Sequence, residues 1–162
     1  GRLRHSEIGN SGQSRGIIPW LKIKNEILCS VDQGGKRKGS GTMYIPIWHY
    51  DIMDFISLRD DGPEDMRAQD LFTAIMVCDL FMRRVLNDEE WTLFCPNKAK
   101  GLNEVYGVEF ETMYKMYESK GIPCKKVPAI DIWKHIILMQ IKKGMPFIVY
   151  SDSMNRKSNK KL

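Results

Sequence analysis

Apolar residues recur at helical spacing in the first third of the chain. Trp20, Ile23 and Ile27 follow one another at three- and four-residue intervals, after a proline that suits the first turn of a helix. The pattern therefore predicts a helix over residues 19–31. Residues 1–16 are rich in glycine and serine, and we expect them to form a loop because glycine adopts backbone angles that other residues avoid.

Predicted strands alternate with predicted helices in the middle of the chain. Residues 42–48 are predicted to form a strand, in which Pro46 indicates a bulge or an unpaired edge because proline has no backbone N–H. A helix with one apolar face is predicted over residues 51–58. Residues 70–78 are apolar, and periodicity leaves open whether they form a buried strand or a helix, while a short helix is predicted over 79–86.

The second half of the chain contains two long amphipathic patterns between two short strands. The strands are predicted over residues 91–96 and 147–150, and the helices end near Gly121 and Gly144. The apolar positions that define the helices are Tyr106, Phe110, Met113 and Tyr117 in the first and Ile130, Trp133, Ile137 and Ile141 in the second. Strands separated by helices predict an α/β fold whose sheet is covered on at least one face.

Composition and charge narrow the class of protein. The 162 residues are 43% hydrophobic and 28% charged, which predicts a soluble domain with a core, and the longest apolar runs are shorter than the roughly 18–20 residues that span a bilayer. Most of the net charge of +5 lies in residues 153–162, which contain four basic residues and no acidic one. A nucleic-acid footprint would be broader, so a solvated connector is favoured there over a phosphate or nucleic-acid patch.

Cysteine and histidine spacing gives no indication of a metal site. There is no Cys-x-x-Cys pair and no histidine at ligand spacing, so we predict no bound metal, no disulfide framework and a reducing, intracellular compartment. The chain has no initiating methionine or leader, and both ends are expected to be internal to a longer protein. The residues considered are Cys29, Cys78, Cys95, Cys124, His5, His49 and His135, all of which we expect to be structural.

The sharpest local feature is a basic glycine loop over residues 32–41. Its glycines allow backbone amides to approach a ligand, and Lys36 and Arg37 offer positive charge to a phosphate. The spacing matches neither the P-loop nor the dinucleotide-binding glycine pattern. From spacing alone, a mobile solvent loop and a ligand loop are equally good interpretations.

Several segments, in chain order, resemble the large chain of class I ribonucleotide reductase, closest to the eukaryotic and large-virus type. Together they extend over essentially the whole chain, so the resemblance is more specific than any one motif. The segments are 31–37 (VDQGGKR), 48–49 (WH), 67–72 (RAQDLF), 79–85 (DLFMRRV), 91–97 (WTLFCPN), 101–104 (GLNE), 106–107 (YG) and 155–159 (NRKSN).

The resemblance implies a fold and a reaction. The family's large chain is a ten-stranded α/β barrel, of which residues 1–162 would be roughly the first half, incomplete at both ends. It reduces ribonucleoside diphosphates to deoxyribonucleotides with a thiyl radical on a cysteine. That cysteine, with its neighbouring Asn and Glu, would follow Leu162, and the first redox cysteine would precede Gly1. We therefore expect no catalytic residue in this chain and no activity from it alone.

The regulatory residues of the family are expected to lie in this chain. The resemblance makes residues 1–16 the first specificity loop, where Arg4 would hold the effector phosphate and Ile8 and Gly9 would line the same pocket. Residues 17–31 would form the helix at the large-chain dimer interface.

Residues 32–41 resemble the second specificity loop, and residues 42–162 would supply barrel strands and helices. Gln33 and Arg37 are expected to contact the effector or the substrate base, with Lys36 nearby. The residues assigned to this site are Asp32, Gln33, Gly34, Gly35, Lys36 and Arg37.

Cofactors and partners follow from the same resemblance. This chain would bind no cofactor, whereas the parent protein would use deoxynucleotide or ATP effectors and a radical metal cofactor in its small subunit. Its partners would be the ribonucleoside diphosphate, a second large subunit and the small subunit, in the cytoplasm, with no nucleic acid and no membrane. Two alternatives stay open: a non-catalytic deoxynucleotide-binding module of a split reductase, and a nucleic-acid-binding protein that uses the basic tail.

Overall fold

The fold contains a short parallel sheet and a two-stranded antiparallel sheet, both packed against helices. The computed structural model describes residues 12–31, 35, 39–61, 63, 67–122 and 124–158. The helices are α1 Ile18–Ser30, α2 Ile52–Ile56, α3 Asp79–Leu86, α4 Gly107–Ser119, α5 Ala129–Lys143 and α6 Ser151–Lys157, with a 3₁₀ turn at Ser57–Arg59. The strands are β1 Thr42–Pro46, β2 Phe72–Val77, β3 Glu90–Phe94, β4 Cys124–Pro128 and β5 Phe147–Tyr150.

The parallel sheet has the order β1-β2-β5. Ile45 of β1 pairs with Ile75 of β2, which pairs in turn with Ile148 of β5. Pro46 is the last residue of β1, an edge strand within the described residues, and this confirms the prediction from its missing N–H. The apolar segment before Cys78, which periodicity left open, is strand β2.

The antiparallel pair of β3 and β4 is joined to the parallel sheet through the segment after β1. A bridge pairs His49 with Phe94, and the indole N–H of Trp91 donates to the carbonyl of Ile47 at 3.3 Å. Trp91, Leu93 and Phe94 are fully buried. The two sheets therefore share one hydrophobic core.

Four aromatic rings form the centre of that core. Trp91 stacks on Tyr114 with ring centroids 4.4 Å apart, and Phe81 meets Trp91 edge-on at 5.1 Å. Phe94 meets Tyr114 edge-on at 5.3 Å. Each such pair adds about 0.5–1.5 kcal/mol beyond the burial of its area. Residues from α3, β3 and α4, distant in sequence, are thereby fixed together.

The predicted long helices are confirmed, but the buried face of α5 differs from the predicted one. Ile137 and Ile141 belong to the predicted apolar face, yet Ile141 is 79% exposed. The buried residues of α5 are Ala129, Ile132, Ile136 and Met139. Because α5 has apolar residues on most of its surface, spacing could not determine which side packs against α2 and α3.

Two elements were not predicted. Strand β4, which pairs with β3, has the sequence CKKVP. Its two exposed lysines interrupt the apolar pattern by which a strand is recognised in a sequence. Helix α6 replaces the connector expected over residues 153–157. Its basic residues Arg156 and Lys157 are exposed, as a solvated segment requires, but Asn155 packs the helix into the protein. Because the buried side chains of α6 are polar, the segment lacks the apolar periodicity that predicts a packed helix. Residues 159–162 lie outside the described part of the chain.

The α/β prediction is confirmed, and the described strands form two separate sheets rather than a closed barrel. Among the described helices, none combines the length and the apolar character needed to cross a membrane.

Candidate functional site

Helix α1 connects the two glycine-containing segments of the candidate site, and its start is held by a distant carboxylate. The backbone N–H of Ile17 donates to Oδ2 of Asp51 at 3.2 Å. Asp51 is buried and precedes α2, so it joins the beginnings of two helices. Just before α1, the N–H of Gly16 donates to the hydroxyl of Ser14 at 3.2 Å. The end of the first glycine-containing segment is therefore fixed in place.

The two ends of the basic glycine loop meet at the end of α1. The carbonyl of Val31 accepts a hydrogen bond from the N–H of Gly39 at 2.9 Å. A Cβ atom on Gly39 would lie 2.7 Å from the backbone carbonyl oxygen of Leu28, so only glycine fits there without a backbone shift. Farther on, the carbonyl of Gly41 accepts from the N–H of Phe72 at 3.0 Å. Val31 and Gly39 are thus held together, and Gly41 lies beside the amino end of β2.

Asn25 connects α1 to the beginning of β2. Its Oδ1 atom accepts hydrogen bonds from the backbone N–H groups of Asp70 and Leu71, both at 3.0 Å. The thiol of Cys29, one turn later, donates to the carboxylate of Asp70 at 3.3 Å. A displacement of α1 would break these bonds, so the helix, the loop base and the sheet are mechanically connected.

The outer face of α1 is apolar. Trp20 is 69% exposed, and the residues that follow it at helical spacing are about half exposed: Ile23, Ile27 and Val31. The buried positions of the helix are Ile18, Leu21 and Asn25 instead. The apolar spacing in the sequence therefore identified a surface stripe, which we call the α1 stripe, rather than the core-facing side.

An open polar pocket of about 310 Å³ lies beside α1. It combines two basic with two acidic side chains, and the described residues that line it are Lys22, Asn25, Glu26, Arg67, Gln69 and Asp70. Because both signs of charge are present, the pocket shows no preference for an anion over a cation.

Comparison with known proteins gives the family. A model of the ribonucleotide reductase barrel domain matches residues 2–162. This chain belongs to that family. It is 48% identical over 153 residues to the ribonucleoside-diphosphate reductase large subunit of Caenorhabditis elegans, 48% over 155 to that of Plasmodium falciparum (isolate Dd2), and 47% over 153 to that of Arabidopsis thaliana. The alignments cover 93–94% of this chain but only 19% of each relative.

Most residues predicted for the ribonucleotide reductase specificity site lie outside the described part of the structure, and their ligand contacts stay predictions. These are Arg4, Ile8, Gly9, Asp32, Gln33, Gly34, Lys36 and Arg37. Gly35 is described: it is exposed and has a φ of +74°. Its positive φ agrees with the glycine-dependent turn that the sequence indicates.

Two of the thiols of this ribonucleotide reductase chain are shielded from solvent. Cys78 and Cys95 are buried, and burial raises the pKa of the Cys78 thiol to about 12, so it stays protonated at neutral pH. Within the described residues, no three His, Cys, Asp or Glu side chains are grouped so as to bind a metal ion.

The structure also identifies residues that sequence reasoning missed. Asn25 and Asp51 hold the candidate site in place, and nothing in their local sequence distinguishes them from surface polar residues. Asn155 belongs to the NRKSN segment by which the family was recognised, but that motif alone did not indicate that its side chain is buried. Each role depends on a contact between segments far apart in the chain.

Proposed function

We propose that this chain is part of the large subunit of a ribonucleoside-diphosphate reductase, which reduces ribonucleoside diphosphates to deoxyribonucleotides. The observation that supports this most strongly is the match to the family's barrel domain over residues 2–162. The relatives with 45–48% identity are named as large subunits or large chains of that enzyme. Because the chain spans about a fifth of their length, the activity belongs to the whole protein.

The contribution of this chain is regulation rather than radical chemistry. A thiyl radical must form on a cysteine that reaches the substrate. Cys78 and Cys95 are buried, and the exposed Cys29 donates a hydrogen bond to Asp70. The radical and redox cysteines are expected in other parts of the protein. The small subunit would supply the radical from its metal cofactor.

The two loops at the ends of α1 would bind the effector, a deoxynucleotide or ATP, and would contact the substrate base. Arg4 would hold phosphate, because a guanidinium can donate two parallel hydrogen bonds to it. Gln33 and Arg37 would contact the effector or the base of the substrate. The Val31–Gly39 bond supports this proposal, since it fixes the base of the loop at the end of α1. A coupling of about 1–3 kcal/mol would change substrate preference about five- to 150-fold.

The α1 stripe would form part of the interface between two large subunits. Three apolar side chains at helical spacing are exposed on α1, a fourth is exposed at Val31 directly after it, and burial of such a surface favours association. Because both loops extend from this helix, an effector bound there would sense the partner subunit. This arrangement would place the specificity site at the dimer interface.

The proposal is tested by exchanging this chain for the corresponding segment of the C. elegans large subunit, which is 48% identical to it. The chimera, assayed with its small subunit, is expected to reduce ribonucleoside diphosphates with a preference that changes with the effector. A folded chimera without any reductase activity would contradict the proposal. If the isolated chain nevertheless bound deoxynucleotide, a non-catalytic binding module would be favoured.

The site assignment is tested in the same chimera with Arg37→Ala. We expect the variant to retain reductase activity but to change its substrate preference under at least one effector by about fivefold or more. Lys38→Ala, in the same loop, is the matched control and should leave the preference within twofold. Unchanged preference in Arg37→Ala under every effector would contradict the assignment.

A further inference from the structure

A cavity of about 250 Å³ opens at the carboxyl ends of β1, β2 and β5. The basic glycine loop precedes the opposite, amino end of β1, so the cavity is separate from the proposed effector site. In open parallel sheets, ligands commonly bind at the carboxyl ends of the strands. Aromatic side chains supply much of its wall: Tyr44, Trp48, Tyr106 and Phe110.

Asn155 is a buried polar residue of this cavity whose side-chain amide forms no hydrogen bond within the described residues. Asn155 is only 8% exposed, yet no described group bonds to its amide. No fully enclosed polar side-chain atom in the described structure lacks a partner. The amide of Asn155 must therefore reach open space, and the cavity that it lines provides that space.

Two other polar side chains of the lining, Asp152 and Ser151, are already paired. The carboxylate of Asp152 accepts hydrogen bonds from the backbone N–H groups of Asp79 at 2.8 Å and Gly107 at 2.9 Å, one on each oxygen. The hydroxyl of Ser151 donates to the carbonyl of Val77 at 3.1 Å. No lysine or arginine is among the described residues that line the cavity, so it offers no cation for a phosphate.

We propose that this cavity binds a neutral nucleobase, with the amide of Asn155 paired to an edge that carries an adjacent donor and acceptor. An asparagine amide has two donors and one acceptor and can form two hydrogen bonds to adenine. The aromatic wall offers stacking surfaces, which bind bases through their flat faces. The volume, below that of drug-sized pockets, suits one ring system. This proposal stands independently of the effector site.

The test is a titration of the isotope-labelled chain with adenosine, followed by NMR. Adenosine is expected to shift the side-chain NH₂ signal of Asn155 and the backbone signals of Tyr106 and Phe110. Asn155→Leu, which keeps the volume but removes the polar group, should weaken binding at least about fivefold, in line with the loss of a bidentate base contact. Purine riboside, which lacks the amino group, should bind more weakly than adenosine.

Two further variants keep the test decisive if Asn155→Leu lowers the melting temperature. Tyr44→Ala removes part of the wall at a residue that is 59% exposed, so it should fold normally and still weaken adenosine binding. Asn97→Leu, at an exposed loop position, should bind like the unmodified chain.

Equal affinity of adenosine for the unmodified chain and Asn155→Leu would overturn the proposal, as would the absence of any shift at Asn155. A short asparagine-containing peptide that displaced adenosine and bound more tightly would also overturn it, in favour of a site for a protein segment.

Discussion

The Oδ1 atom of Asn25 lies 3.0 Å from the backbone nitrogen of Leu71 and accepts its hydrogen bond, and it accepts a second from Asp70. We predict that Asn25→Leu lowers the free energy of unfolding by about 1–3 kcal/mol, because it leaves a buried N–H without a partner. Urea unfolding measures this. Asn87→Leu, at an exposed position, is the control and should change stability by less than about 0.5 kcal/mol. Equal effects would show that Asn25 is not a structural link.

Gly39 and Gly41 provide a second comparison at the base of the glycine loop. Gly39→Ala should lower the free energy of unfolding by about 1–3 kcal/mol, because its Cβ would lie 2.7 Å from the backbone oxygen of Leu28. Gly41→Ala should lower the free energy of unfolding less, because the nearest neighbour of the added Cβ is the side chain of Leu28, which can move. Thermal unfolding of both variants is the measurement. A larger loss in Gly41→Ala would contradict the close approach at Gly39.

Glu118 should make stability depend on acid pH. Burial acts to raise the pKa of Glu118, but hydrogen bonds from Arg84, at 2.7 and 2.8 Å, and from Thr92, at 2.6 Å, hold it below its usual value of 4.5. Its stabilising effect is therefore full above pH 4.5 and is lost as the pH falls through the folded-state pKa. Urea unfolding at several pH values should show that the free energy of unfolding decreases less at acid pH in Glu118→Gln than in the unmodified chain. In the control Glu104→Gln, at an exposed position, the free energy of unfolding should decrease at acid pH as much as in the unmodified chain.

His135 should make stability depend on pH in a higher range than Glu118 does. Its Nε2 atom lies 2.8 Å from the hydroxyl oxygen of Ser57, and burial lowers the pKa of His135 below 6.5. Because the unfolded chain then binds a proton more readily, stability is full above pH 6.5 and falls as the pH decreases toward the folded-state pKa. An NMR titration of the ring should give a pKa below 6.5. In His135→Gln, the decrease in stability just below pH 6.5 should shrink, and an unchanged profile would exclude this histidine as its source.

The α1 stripe predicts the effect of a surface charge on assembly. In the chimera described above, Trp20→Glu should weaken the large-subunit dimer at least tenfold, because it places a charge in an apolar interface. Sedimentation velocity measures the dimer. Lys24→Glu, also exposed on α1, is the matched control for a new carboxylate. Since Trp20 is 69% exposed, the fold should be unaffected, and an intact dimer in Trp20→Glu would place the interface elsewhere.

The sequence by itself determined the type and order of most elements. Pro19 and the spacing after it gave α1, and Gly144, whose φ is +71°, gave the end of α5. These signals are local, since they depend on the backbone preferences of a few consecutive residues. Its ordered motifs also gave the family, which the match over residues 2–162 confirms.

Only the tertiary structure decided which faces are buried and which polar groups meet. Ile141 fits the same helical pattern as a core residue, yet it is exposed because α2 and α3 pack against another side of α5. Strand β4 exists because β3 offers it an antiparallel partner. Asn155 faces the cavity because α6 packs against β2, more than 70 positions earlier in the chain. Periodicity describes one segment at a time, whereas these outcomes depend on contacts between segments that are distant in the chain.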